Sequence, residues 1–206
     1  DDSGLILPPS ISPIQVVIMP IATHISKDVL IRAKDIEKEL KKHGIRTKMD
    51  DRDIRPGAKH YDWEIKGVPI RLEIGPRDLS NGTCVISLRT GGKEDLPLDN
   101  ISSSISKNLN VVSDILRTRA SEVHRNMIHD IPSSIMGDGR LIFDTPIQDD
   151  IIYELPFDGN DADAELLEKS TGLTLLGDCE SEYEVARACI ITGKMTTRKQ
   201  HLSRMY

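Results

Sequence analysis

The stretch MDDRDIRPGAK (residues 49–59), followed by WEIKGVPIR (residues 63–71) and EIGPRD (residues 73–78), is the most informative part of this chain. Between residues 46 and 78 there are eight Lys or Arg and seven Asp or Glu residues, and the two signs alternate. A surface that binds only phosphate is basic, because acidic side chains repel the nucleic-acid backbone. Alternating signs are typical either of a solvated face crossed by salt bridges or of a surface that reads base edges.

An ordered series of α/β elements is predicted around this stretch. The continuous apolar run of residues 14–21 predicts a strand that is buried on both faces. Residues 28–43 carry apolar side chains at helical spacing opposite Lys and Glu, and Gly44 can end that helix. The elements predicted next are a strand at 45–50, a short helix at 58–66 after Pro56-Gly57, and a strand at 69–74 that Gly75-Pro76 breaks. A turn at 80–82, a strand at 83–89, an extended piece near Leu96 and a long helix from 100 to about 129 follow, and this helix has one apolar stripe from Ile101 to Val123. This order predicts a mixed α/β sheet layered with helices.

The second half of the chain is predicted to form a smaller α+β domain. Turn-forming residues at 132–134 and 137–139 mark the boundary. The elements predicted after it are strands near residues 141–143, 151–155, 173–176 and 188–192, and a helix near 162–170. A nucleotide-binding α/β enzyme is disfavoured, because no glycine-rich phosphate loop follows a strand and Gly91-Gly92 does not fit that pattern.

The net charge of −6 is distributed unevenly. Residues 1–134 hold 20 basic and 19 acidic residues, a net of +1, whereas residues 135–206 hold 7 basic and 14 acidic residues, a net of −7. The acidity therefore belongs to the second half and does not exclude RNA contact by the first. From residue 187 to the end there are five basic and no acidic residues.

Composition indicates a globular, intracellular type of chain. Apolar residues make up 38% but aromatic residues only 3%, which predicts aliphatic cores. No apolar run approaches the roughly 20 residues that span a bilayer, so no membrane contact is expected, and no leader pattern is present. Three scattered cysteines do not form a disulfide framework, which favours a reducing, cytoplasmic setting. Cys179 and Cys189 are unpaired in sequence, whereas structural zinc takes about four ligands, so no metal is expected.

The order of residues in the charged stretch resembles a known family. Four motifs resemble the anticodon-binding domain of prolyl-tRNA synthetase, a class II aminoacyl-tRNA synthetase: DDR (50–52), RPGxK (55–59), WExKGVP (63–69) and GPRD (75–78). Residues 1–9 are similar to the end of the third class II motif of this family. The resemblance implies a tail of the catalytic domain and linker at 1–13, a mixed-sheet class II anticodon-binding domain at 14–130 and a smaller α+β C-terminal domain at 135–206.

The resemblance also implies a site that recognises guanine twice, because proline anticodons share two adjacent guanines. Cationic side chains suit the Hoogsteen edge of guanine, and carboxylates suit its N1 and N2 donors. The candidate anticodon-binding residues carried over from the matching motifs are Asp53, Lys59, Glu64, Lys66, Arg71 and Arg77. Which residue faces which base stays open, and salt bridges among them are the alternative. Trp63 is expected to be a core anchor, with base stacking as its alternative.

Catalysis is not expected in these residues. Full-length members of the family activate proline with ATP and Mg²⁺ and pass it to tRNA(Pro), usually as homodimers. The first two class II motifs are absent from the sequence, and Ser3 and Ser10 stand where the family commonly has a basic residue. The partner expected for this chain is tRNA(Pro), whereas proline and ATP would bind through the missing catalytic domain.

The chain ends on Tyr206, as the family does. The resemblance implies that its carboxylate and the basic tail before it turn toward the catalytic domain. A solvated, frayed terminus is the alternative.

Two functions fit the sequence. The first is the tRNA-reading portion of prolyl-tRNA synthetase, and the second is a stand-alone, non-catalytic anticodon-domain module that binds RNA. Residues 1–13 favour the first, because a free module would not need them. The length of the native gene product discriminates between the two.

Overall fold

The computed structural model describes residues 1–131, 133–135, 141–148 and 150–205. The chain divides into two compact units, Asp1–Ala120 and Ser121–Tyr206. The boundaries expected from the sequence, after residue 13 and between 130 and 135, stay predictions. Among the described residues, no helix is both long enough and apolar enough to cross a membrane.

The first unit follows the predicted order of strands and helices, with one helix added. Its elements are β1 (Val16–Pro20), α1 (Lys27–Lys42), β2 (Thr47–Met49), α2 (Pro56–Ile65), β3 (Ile70–Ile74), α3 (Pro76–Asn81), β4 (Thr83–Leu88), β5 (Lys93–Pro97) and α4 (Ile101–Met127), which continues into the second unit. The strand order is β2-β1-β3-β4-β5. Strand β1 pairs in parallel with β2 and β3, whereas β4 pairs antiparallel with β3 and β5. The predicted mixed α/β sheet is confirmed.

Strand β1 lies at the centre of the unit and is buried on both faces, as the apolar run predicts. Val16 and Ile18 pack with α1 and α4 in the larger core, and Val17 and Met19 pack with Trp63 of α2 in the smaller one. Alternate residues of a strand point to opposite faces, so the two cores lie on opposite sides of the sheet. Trp63 is only 4% exposed and is a core anchor.

The helix α3 differs from the sequence prediction, which took Gly75-Pro76 as a break and residues 80–82 as a turn. Pro76 occupies the first helical position, where its missing N–H costs nothing. The Asp78 Oδ2 atom accepts a 2.7 Å hydrogen bond from the Gly75 amide, and Gly82 ends the helix with φ of 67°. The two turn signals are therefore the caps of a short helix.

The apolar stripe of α4 is buried over only part of its predicted length. Val112 is its last buried residue, and Val123 is 59% exposed. The apolar stripe predicted from the sequence therefore continues along α4 beyond the last residue that packs into the core of the first unit.

The second unit is built around a four-stranded sheet with the order β10-β13-β9-β6. Its elements are β6 (Ile128–Asp130), β7 (Ser133–Ile135), β8 (Leu141–Phe143), β9 (Ile152–Pro156), α5 (Asp161–Thr171), β10 (Thr174–Asp178), β11 (Arg187–Ala188), β12 (Met195–Thr196) and β13 (Lys199–Ser203). Helix α5 adds Leu167 to a core that contains Tyr153, Leu155 and Leu202.

Two predictions for this unit were wrong. The strand expected at 188–192 is mostly a turn, in which the Cys189 amide donates to the Lys194 carbonyl at 2.7 Å. Cys189 and Ile190 are buried because this turn packs into the core. Strand β13 was not predicted, because Lys199 and His201 alternate with its inward side chains and hide the apolar pattern. The structure places both of them beside Glu154 of β9.

Candidate nucleic-acid interface

Helix α2 covers only part of one face of the first unit's sheet, and the rest of that face is polar. This polar face consists of Arg71 and Glu73 on β3, Ser87 on β4, and Lys93 and Asp95 on β5. Arg71, Ser87 and Lys93 lie opposite one another in one cross-strand row, and Glu73, Val85 and Asp95 form the next. Residues directly opposite one another share a face of the sheet. The polar face therefore presents cationic and anionic groups in adjacent rows.

Helix α2 covers the neighbouring part of the same side and contributes charged partners. The Glu64 Oε2 atom lies 3.3 Å from Arg71 Nη1, and His60 Nε2 lies 3.0 Å from Glu73 Oε1. Arg71 Nη1 also donates to the His60 carbonyl at 3.4 Å. In the described part of the chain, the buried Arg71 Nε atom has no hydrogen-bond partner. A buried donor without an acceptor is costly, and the Glu64 carboxylate offsets this cost in part through its contact with Arg71 Nη1.

A second polar cluster is centred on the buried carboxylate of Asp50, at the end of β2. Arg52 Nε and Nη2 donate to the two Asp50 oxygens at 2.8 and 2.7 Å, and Trp63 Nε1 donates to Oδ2 at 2.6 Å. The hydrogen bonds from Arg52 hold the pKa of Asp50 well below its usual range against the opposing effect of burial, and Trp63 adds to the lowering. Lys59 Nζ donates to the Asp50 backbone carbonyl at 3.0 Å.

The six residues predicted from the sequence fall into four environments. Glu64 and Arg71 are paired with each other beside the polar face. Lys66 lies over the Trp63 ring, with its Nζ 4.5 Å from the ring centre. Lys59 is only 5% exposed and belongs to the Asp50 cluster.

The remaining two, Asp53 and Arg77, lie on the surface at the ends of strands. Asp53 follows β2, and Arg77 is in the first turn of α3 after β3. Both are exposed, and within the described part of the chain neither side chain has a hydrogen bond or an ion pair. The structure therefore pairs Glu64 with Arg71, places Lys66 over Trp63, and leaves Asp53 and Arg77 exposed at the ends of strands.

An open pocket of about 570 Å³ lies at the carboxyl ends of β1 and β2. Ligands of α/β folds commonly bind at this edge of the sheet. Among the side chains that line it are those of His24, Lys27, Asp51, Asp53 and Lys59. Sequence reasoning missed His24, Lys27 and Asp51 as site residues, although their position after two predicted strands was a usable signal.

Sequence reasoning also missed the partners Asp50, His60 and Glu73. The alternation of β3 could have indicated Glu73, because it repeats the exposed position of Arg71 two residues later. No pattern indicated that Asp50 is buried, since it stands in a run of charged residues.

The cysteines do not converge on one place. Burial raises the pKa of the Cys84 thiol to about 12 in the first unit. At Cys189, burial raises the pKa, but hydrogen bonds from Thr192 and from backbone amides outweigh it and the net pKa is lowered. Within the ranges that the structure describes, no group of three or more His, Cys, Asp or Glu side chains could hold a metal ion. Tyr206 lies outside the described residues, so the prediction for the terminus stays a prediction.

Comparison with known proteins agrees with this geometry. Residues 15–108 match the family described as "Anticodon binding domain". Over its whole length, the chain is 35% identical to the proline–tRNA ligase of Methanococcoides burtonii and 38% identical to that of Thermococcus kodakarensis. It spans 42% and 43% of the length of these two proteins.

Two solved structures share the fold along the entire chain. The prolyl-tRNA synthetase of Giardia lamblia, solved in complex with prolyl-adenylate, superposes with a TM-score of 0.84 at 28% identity. That of Cryptosporidium parvum, solved with L-proline and AMP, gives a TM-score of 0.83 at 28% identity. The chain covers 46% and 44% of these two structures. The resemblance of the charged motifs is confirmed: the chain belongs to the prolyl-tRNA synthetase family, as a C-terminal portion that contains the anticodon-binding domain.

Proposed function

We propose that this chain is the part of a proline–tRNA ligase that reads the anticodon of tRNA(Pro), and that the polar face and its flank on α2 make the base contacts. The observation that carries the proposal is the pair formed by Glu64 and Arg71, at 3.3 Å. It sets a carboxylate beside a guanidinium, and both side chains are partly exposed. Guanine needs both, because its Hoogsteen edge accepts hydrogen bonds and its N1 and N2 groups donate them.

The six candidates take different parts in this proposal. Arg71, Glu64 and Lys66 are the base-reading residues, since they are partly or fully exposed around α2. Arg77 and Asp53 are free on the surface and can meet the flanking backbone or a base at the strand ends. Lys59 donates a hydrogen bond to the Asp50 backbone carbonyl and in this proposal stabilises the site without contacting a base.

Substitution of Arg71 tests the proposal. We expect Arg71→Ala to weaken binding of a tRNA(Pro) transcript by about 1–3 kcal/mol, the usual value of one base-edge contact. The loss should shrink for a transcript in which one anticodon guanine is replaced, because the contact is then already missing. The matched control is Arg117→Ala, since Arg117 is an exposed arginine of α4 that pairs only with Asp114 in the described part of the chain. Equal affinity of the unaltered chain for both transcripts would reject anticodon reading.

The remaining activities are proposed for the full-length enzyme. ATP-dependent ligation of proline, with Mg²⁺, and homodimer formation belong to the portion of the relatives that lies outside these 206 residues. We assign the protein to the cytoplasm, where tRNA is charged. A stand-alone RNA-binding module is the competing proposal, and the length of the native gene product separates the two.

The basic tail is proposed to act on the catalytic portion. Residues 187–206 contain five basic and no acidic residues, of which Arg187, Arg198 and Lys199 pair with acidic side chains of the second unit. The terminal Tyr206 favours a role at an anionic partner such as ATP or the acceptor end of tRNA, because the family ends the same way. In the full-length enzyme, deletion of Tyr206 should reduce proline activation and leave tRNA affinity nearly intact. Normal activation after the deletion would contradict this role.

A further inference from the structure

The first five residues of the chain are clamped onto the first unit by Arg89; we call residues 1–5 the strap. Arg89 Nε donates to the Leu5 carbonyl at 3.0 Å, and Nη2 donates to the Gly4 carbonyl at 3.2 Å. Its two terminal nitrogens also bind both carboxylate oxygens of Asp1. The Arg89 side chain is only 6% exposed, so its guanidinium is buried by these contacts with the strap.

The strap contacts the end of α2 through backbone atoms. The Leu5 amide donates to the Ile65 carbonyl at 3.0 Å. A Cβ atom at Gly4 would overlap the Ile65 backbone, and one at Gly67 would lie 2.7 Å from the Leu5 carbonyl oxygen. Both glycines have positive φ, of 131° and 68°. Two backbones that approach so closely, at positions suited to glycine, form a fitted contact.

The end of α2 also carries two of the three proposed base-reading residues. Glu64 belongs to its last turn, and Lys66 is its C-terminal cap residue. The amides of Gly67 and Val68 donate to the Glu64 and Trp63 carbonyls, at 3.0 and 3.2 Å, and complete this helix end. A strap that fixes Ile65 and Gly67 therefore fixes the backbone on both sides of Lys66.

We infer that the strap holds the end of α2 in its RNA-reading position and that Arg89 is the positioning residue that keeps the strap in place. The inference rests on the proposed anticodon reading for its functional part. Arg89 contacts no base in this proposal; it acts on Glu64 and Lys66 through residues 1–5. Without the clamp the end of α2 becomes mobile. RNA binding must then order it, and this cost lowers the affinity for RNA.

A double-mutant cycle separates this role from a direct contact. The four chains are the unaltered protein, Arg89→Ala, a chain lacking residues 1–5, and the chain with both changes. We expect Arg89→Ala and the truncation each to weaken tRNA(Pro) binding by about fivefold or more, within the usual range of couplings between sites. The combined variant should bind as tightly as the truncated chain. If Arg89→Ala costs the truncated chain as much as the intact one, Arg89 meets RNA directly and the inference is overturned.

The matched control is Arg46→Ala. Arg46 donates to the carbonyls of Pro9 and Ser12 at 2.7 and 2.8 Å, so it clamps the part of the chain that follows the strap. This variant should change RNA affinity by less than about twofold, a change below the usual size of a coupling. A loss equal to that of Arg89→Ala would contradict a specific role of the strap at α2.

Hydrogen exchange provides a readout that needs no RNA. In Arg89→Ala, the amides of Gly67 and Val68 should exchange faster, while the central β1 amides keep their protection. Unchanged exchange at Gly67 and Val68 would overturn the inference, even if RNA binding were altered. If the unaltered chain binds no RNA, the proposed function fails, and faster exchange would still support the strap as the support of α2.

Discussion

The buried carboxylate of Asp50 accepts hydrogen bonds from two residues, Arg52 and Trp63, and its removal should destabilise the first unit. We expect Asp50→Ala to lower the free energy of unfolding by about 2–4 kcal/mol, because Arg52 and the Trp63 indole lose their acceptor. The value lies toward the low end for broken ion pairs, since Arg52 is 45% exposed. Urea unfolding at neutral pH measures the difference. Asp51→Ala, at an exposed neighbour, should stay within about 0.5 kcal/mol of the unaltered protein.

The contribution of Asp50 should depend on pH in a defined direction. Its pKa in the folded state is lowered by Arg52, below an unfolded-state value of about 3.9. The stabilisation is therefore complete above the unfolded-state pKa and is lost as the pH falls toward the folded-state value. The difference in unfolding free energy between the unaltered protein and Asp50→Ala should shrink as the pH is lowered from about 5 to about 2. A difference that stays constant over this interval would contradict the ion pair.

Lys59 should affect stability more than selectivity. Lys59→Met keeps most of the side-chain volume but removes the ammonium that binds the Asp50 carbonyl, so we expect a loss of about 1–3 kcal/mol in unfolding free energy. The ratio of affinities for tRNA(Pro) and for the transcript with an altered anticodon guanine should stay unchanged. A fall in that ratio would indicate that Lys59 contacts a base of the anticodon.

These residues also mark what the sequence could predict about the site. The motifs identified the region, in which Glu64 pairs with Arg71 and Lys66 lies over Trp63. The sequence could not separate Lys59 from them, because burial depends on the distant Asp50 and not on local charge pattern. Whether these residues contact the anticodon stays a prediction.

The cap of α5 is the clearest element-level test in the second unit. Asn160 Oδ1 accepts hydrogen bonds from the amides of Ala162 and Asp163, and Asp163 Oδ2 accepts one from the Asn160 amide. We expect Asn160→Ala to cost about 1 kcal/mol, because two helix-end donors lose their acceptor. Asn160→Ser should restore most of it, since serine is also a good cap. Thermal unfolding measures both, and equal losses for the two variants would mean that the cap is not what stabilises α5.

Elements with a simple period were predictable, and those shaped by tertiary contacts were not. The apolar spacing of α1 predicted the buried residues Val29, Ala33, Ile36 and Leu40 correctly. Strand β13 was not predicted because the polar side chains on one of its faces lie beside Glu154 of another strand, which no local pattern reveals. The turn at 189–194 was read as a strand because its buried residues are apolar whatever their backbone conformation.

The two units have separate hydrophobic cores, which predicts separate responses to core substitutions. Leu167 is fully buried in the core of the second unit, so Leu167→Ala should cost that unit about 2–5 kcal/mol. Trp63, the single tryptophan of the sequence, reports on the first unit. We expect the transition followed by tryptophan fluorescence to stay in place while circular dichroism shows an earlier loss of structure. The matched control, Ile36→Ala in the first unit, should move the fluorescence transition. A fluorescence shift in Leu167→Ala would indicate that the units unfold together.

The fold of the whole chain should be independent of zinc. A structural zinc site would be bound by about four ligands, and Cys179 and Cys189 have no paired cysteine nearby in sequence. We expect a chelator to leave the melting temperature unchanged and metal analysis to find less than one zinc per chain. A chelator-induced unfolding would overturn this, since it would assign the two cysteines to a metal site.

The position of β5 has a consequence for how the chain behaves at high concentration. This strand is the last one of its sheet, where unpaired backbone groups can recruit the edge of another molecule and begin aggregation. It carries Lys93, Glu94 and Asp95 in succession and ends at Pro97, which has no amide to donate. Both features oppose addition of a further strand. The charges that we assign to the polar face thus also protect the open sheet from pairing with a second copy of itself.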